Sequence, residues 1–139
     1  MKILPALVAI LALAACAAPT VTAPGAPSLA GRTFVAKVEG EIEAAERPRL
    51  EFLADGRLAG YTGCNAFSGR WSVGEGVVQT GALAMTKRAC IGAGGEREGR
   101  FLAAVNPKAR IEVQASGAGL VAHGADGTRL EFVEQARTR

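Results

Sequence analysis

The chain has 139 residues, 49% hydrophobic and 5% aromatic, with a formal net charge of +3. Residues 29–139 have the length of one globular domain with a core of modest size. The small cationic excess forms no basic stripe with interleaved aromatics, which excludes a nucleic-acid partner.

Residues 1–15 are read as a secretory signal. Lys2 gives a positive start, residues 3–12 are apolar apart from Pro5, and Leu13-Ala14-Ala15 supplies small residues before a cut. The apolar run is too short to span a bilayer. Cys16, directly after Leu-Ala-Ala, resembles the bacterial lipobox. The resemblance implies cleavage before Cys16, acylation of that residue, and a membrane partner reached through it. An ordinary signal with an incidental cysteine is the alternative. Residues 16–28 then read as a tether. They carry no charge, and Pro19, Pro24 and Pro27 favour an extended backbone. In Gram-negative lipoproteins an Asp after the lipidated cysteine often retains the protein at the inner membrane. Ala17 stands there instead, so the expected location is the outer membrane, facing the periplasm.

From residue 29 the pattern is that of strands. Arg49-Leu50-Glu51-Phe52, Arg110-Ile111-Glu112-Val113 and Arg129-Leu130-Glu131-Phe132 alternate charged and apolar residues with period two. Such runs make strands with one wet face, whose outward Arg and Glu can pair across neighbours. Residues 33–38, 57–61, 69–73, 77–79 and 120–123 are further candidates. Asp55-Gly56, Gly74-Glu75-Gly76 and Asp126-Gly127 supply turns between them. Residues 96–105 differ, because Phe101, Leu102 and Val105 fall on one helical face. Asn106-Pro107 stops that helix. The glycines of residues 92–95 predict a loosely restrained approach to it. The fold class is α+β: a curled antiparallel β-sheet or small barrel with one short helix.

Cys64 and Cys90 form an even pair behind a signal that leads to an oxidising compartment. A disulfide between them is expected, with two buried free thiols as the alternative. Zinc is not expected, since Cys64, Cys90 and His123 lack any paired Cys-x-x-Cys spacing. No catalytic residue stands out either. His123 is the single histidine, a Cys64–His123 pair needs a reduced thiol, and no acid pair converges.

The run Gly60-x-x-Gly63-Cys64-Asn65-x-Phe67-x-Gly69 resembles the glycine-cysteine-asparagine signature of META domains. Asp55-Gly56-Arg57 precedes it. Thr86-x-x-x-Cys90 resembles the family's second motif, and Phe101-Leu102 the helix that follows. The closing Asp126-Gly127 and Leu130-x-Phe132 also match, so the resemblance covers residues 29–133. HslJ-type heat-shock lipoproteins belong to this family. One departure is Thr33-Phe34, where the family usually carries Trp. The resemblance implies a small envelope protein linked to stress tolerance, without established catalysis or cofactor. An inhibitor or binding module for a periplasmic enzyme is the alternative, with residues 92–95 as its candidate loop. The signature residues have a structural reading beside a ligand-binding one. Gly60, Gly63 and Gly69 permit tight bends, Asn65 tolerates positive φ, and Thr86 bonds backbone. The alternative is a ligand site built on Asn65 and Thr86.

Overall fold

A computed structural model of the protein describes residues 28–105, 107 and 109–136. The predicted signal, Cys16 and the tether up to residue 27 lie outside the described residues. The predicted strands form β1 (Arg32–Ala36), β2 (Arg49–Phe52), β3 (Arg57–Tyr61), β4 (Ala66–Gly74), β5 (Val77–Thr80), β7 (Arg110–Val113), β8 (Gly119–His123) and β9 (Arg129–Glu134). All pair antiparallel in the order β1-β2-β3-β4-β5-β7-β8-β9, and β9 returns to β1. The eight strands therefore close into a barrel with one helix. A ninth strand, β6 (Ala84–Met85), was not predicted. It pairs with Phe67 and Ser68 of β4, on the part of β4 that β5 leaves free.

The period-two pattern decides which side chains fill the barrel. Phe34, Leu50, Phe52, Leu58, Ile111, Leu120 and Phe132 are each at most 1% exposed. Phe34 meets Phe52 edge-on at 5.8 Å between ring centroids, so the phenylalanine that departs from the family's tryptophan is fully packed. The outward charges pair in two ways. Arg32–Glu134 joins β1 to β9, and Lys37, just after β1, reaches Glu131 of β9, as expected of neighbouring strands. Arg49–Glu51, Arg110–Glu112 and Arg129–Glu131 instead run along a strand, because residues two apart share a face.

Two residues of the β4–β5 turn, Glu75 and Gly76, both have positive φ, as a tight hairpin needs. That turn, residues 53–56 and residues 114–118 gather at one pole, together with Ser28 and Gln135. At the other pole lie the end of β3 and the start of β4. Helix α1 (Ala93–Val105) crosses this second pole. Its Phe101 packs on Phe67 and Phe132, and the Val105 carbonyl accepts the Thr80 hydroxyl at 3.0 Å.

The helix begins three residues earlier than predicted. Gly94 and Gly95 are its first turn rather than a loose approach. A Cβ on Gly95 would lie 2.5 Å from the Cys90 carbonyl, so the glycine lets the helix start hard against the preceding segment. No helix among the described residues is long and apolar enough to cross a membrane.

Candidate functional site: a clamp at the helix-covered pole

The signature residues meet in the turn between β3 and β4. Thr62 is fully buried, and its Oγ1 accepts the backbone N–H groups of Asn65 at 2.9 Å and Cys64 at 3.2 Å. The Thr62 N–H donates in return to the Asn65 carbonyl at 2.9 Å. The hydroxyl proton goes to Glu98 Oε2 on α1. Gly63 has φ +99°, and a Cβ there would lie 2.9 Å from Cβ of Arg97. Both facts exclude a side chain.

Asn65, 2% exposed, is the hub. Its Oδ1 accepts the Thr86 hydroxyl at 2.8 Å and the Arg88 N–H at 2.7 Å. Its Nδ2 donates towards Glu98 at 3.0 Å and towards the Arg88 carbonyl at 3.2 Å. Both ends of the amide are used, and a flipped amide would set an oxygen against the Glu98 carboxylate. The expected positive φ is corrected here. Among the described residues the non-glycine at positive φ is Glu75, so Asn65 acts through its side chain. Thr86 bonds backbone as expected, accepting the Ala66 N–H at 3.2 Å.

Cys64 and Cys90 are bonded, with Cα atoms 6.0 Å apart and a sequence separation of 26. That distance is ordinary for a disulfide and leaves no free thiol at either position. Phe67 is 4% exposed, its ring centroid 5.3 Å from that of Phe101. Gly60 faces Phe67 across the β3–β4 pair, where a Cβ would lie 2.7 Å from the ring. A Cβ on Gly69 would lie 2.8 Å from the Leu83 side chain. Gly60 and Gly69 thus serve close packing, not bends.

The signature is therefore a clamp. It fastens the β3–β4 turn to residues 86–90 and to α1. Glu98, Thr62 and the Arg88 backbone complete it, and none was singled out from sequence. Glu98 did leave a signal: it falls three residues before Phe101, on the face that α1 buries. A carboxylate there must find donors.

Beside the clamp runs a groove of about 340 Å³, with Val38, Ile42, Pro48 and Leu130 against Arg97 and Arg100. Arg97 reaches Glu46 at 3.4 Å, and its Nε is buried without a hydrogen-bond partner among the described residues. No three His, Cys, Asp or Glu side chains converge among the described residues as metal ligands would.

Two solved structures share the fold. One, an NMR structure of a protein from Burkholderia xenovorans, is 21% identical with a TM-score of 0.59, over 78% of this chain and 85% of that one. The second, also solved by NMR, is 22% identical with a TM-score of 0.57, over 74% and 88%. No curated protein matches. The META domain model matches residues 28–137, the whole barrel with its clamp and helix. The chain belongs to the META domain family.

Proposed function

We propose that the protein is a lipid-anchored envelope protein that supports stress tolerance by binding rather than by catalysis. Family membership supports the stress-related envelope role. The observation that carries the non-catalytic part is the closure of the clamp. Its thiols are joined to each other, and the polar atoms of Asn65, Thr62 and Glu98 are bonded among themselves. No nucleophile paired with a base is left over in it. Residues 1–15 direct secretion, Cys16 carries acyl chains, and the tether holds the barrel off the outer membrane on its periplasmic side. The disulfide agrees with an oxidising compartment. Deleting the gene is expected to sensitise cells to heat and to a hydrophobic antibiotic. Complementation with Cys16→Ser is expected to restore little. Equal survival of all three strains, or an unmodified Cys16 by mass spectrometry of the mature protein, contradicts the proposal.

A second reading, a binding module for a periplasmic enzyme, is favoured by one observation. Residues 86–91 are held at Thr86 and Arg88 through the backbone and at Cys90 through the disulfide, while Lys87, Arg88, Ala89 and Ile91 stay exposed. This segment, rather than residues 92–95, is the presenting loop, since residues 93–95 belong to α1. A photo-crosslinker at Ile91, 95% exposed, is expected to capture one envelope protein in stoichiometric yield.

A further inference from the structure

Residues 86–91 have no ladder of their own, yet their main chain is held at Thr86, Arg88 and Cys90. Asn65 receives the Arg88 N–H and donates to the Arg88 carbonyl, and two residues later Cys90 is bonded to Cys64. The side chains of Lys87 and Arg88, unlike those of Thr86 and Cys90, make no contact with the clamp. No ion pair among the described residues engages Lys87 or Arg88, and both are exposed. A lipid surface needs only cations and apolar tips, which do not require a fixed backbone. A protein cleft that reads the main chain does, because preorganisation removes the cost of ordering a loop on binding. The loop also stands at the pole of the barrel opposite Ser28.

The peptide between Lys87 and Arg88 has a defined orientation. All described peptides are trans, and the N–H and C=O of a trans peptide point opposite ways. The Arg88 N–H points inward at Asn65, so the Lys87 carbonyl points outward. It accepts no hydrogen bond among the described residues. The peptide also lies inside the 26-residue separation closed by Cys64 and Cys90, so cutting it would not part the two halves.

We propose that Lys87–Arg88 is the reactive bond of an inhibitor loop aimed at a serine protease whose specificity pocket carries a carboxylate. The proposal rests on the binding-module reading and names the enzyme class. Lys87 enters the pocket, its ammonium on the carboxylate. The protease serine Oγ gives its proton to the protease histidine and adds to the Lys87 carbonyl carbon. The bond to the Arg88 nitrogen breaks as that nitrogen takes a proton from the protease histidine, leaving a serine ester. Asn65 and the disulfide keep the Arg88 amine beside the ester. The amine attacks it, the proton returns through the histidine, and the peptide re-forms before water enters.

The test titrates pancreatic trypsin with the purified full chain and follows a small lysyl amide substrate. The expected result is stoichiometric inhibition, with one nick at Lys87–Arg88 visible only after reduction. Lys87→Ala is expected to weaken inhibition at least about a hundredfold, as removal of a central anchor does. Lys87→Phe is expected to move the inhibition to chymotrypsin. Both substitutions alter an exposed side chain, and circular dichroism checks that the barrel persists. Rapid digestion without inhibition overturns the proposal, as does inhibition that Lys87→Ala leaves unchanged. Binding to phosphatidylglycerol vesicles that depends on Lys87 and Arg88, without inhibition, overturns it in favour of a lipid surface. Capture at Ile91 of an envelope protein that is not a protease also overturns it, while the binding-module reading stands.

Discussion

Asn65 bonds to both backbone groups of Arg88, to Thr86 and to Glu98, so its replacement strands several partners at once. Asn65→Ala should cost about 2–3 kcal/mol by urea denaturation, since buried groups lose partners that water does not replace. Asn65→Asp should be at least as costly at neutral pH, because its second oxygen would face the Glu98 carboxylate, and should recover in mild acid. A variant whose stability is independent of pH contradicts this geometry. Glu75 makes the opposite case. Its φ is +53° on the exposed β4–β5 turn, a conformation that suits Asn or Gly. Glu75→Asn should therefore stabilise by about 0.5 kcal/mol, read as a raised thermal midpoint. At this scale the sequence was legible in its outline. Gly-Cys-Asn marked the place of the clamp, and Gly74-Glu75-Gly76 marked the turn. The amide's partners were not legible, because Arg88 and Glu98 arrive from elements over 20 residues away, and only the fold sets those distances.

Among the elements, those with a strict period were readable to within a few residues, and β6 was not. Two residues cannot show periodicity, and β6 exists because β4 is longer than β5 and offers a free edge. The start of α1 was misjudged for a related reason. Glycine lowers helix propensity, yet here close packing against Cys90 outweighs it. The link that unites β6, the loop and α1 with the β3–β4 turn is the disulfide. A separation of 26 corresponds to about 3.5 kcal/mol in the chain-entropy description. Reduction should lower the thermal midpoint by roughly 15 °C. Cys64→Ala, Cys90→Ala and the double variant should be about equally destabilised, since each loses the same bond. Additive losses in the double variant would show instead that each cysteine contributes chiefly by packing.

For the whole molecule, the α+β class was evident from three alternating runs, five further strand candidates and one helical face, but barrel closure rests on the β3–β4 and β1–β9 pairings, which no local pattern reveals. The closed surface also sets the response to acid. Arg57 holds the Asp55 carboxyl below its ordinary 3.8, the Thr128 N–H does the same for Asp126, and Arg129 holds Glu131 below its ordinary 4.5. Depressed folded values mean that stability is complete above the unfolded pKa values and is lost as pH falls through the folded ones. The thermal midpoint should be flat above about pH 5 and fall below about pH 4, modestly, because these groups are exposed and salt screens them. A midpoint that rises on acidification would contradict the assignment. The two poles have a mechanical consequence as well. Ser28 leaves from one and the loop at Lys87 stands at the other, so traction between them runs through β1, held on both flanks by β2 and β9. Hydrogen bonds lying across a load share it and yield together, whereas bonds in line with it open singly. Were the loop held by a partner and residue 28 pulled, the barrel would be loaded in shear through β1 and would resist extension.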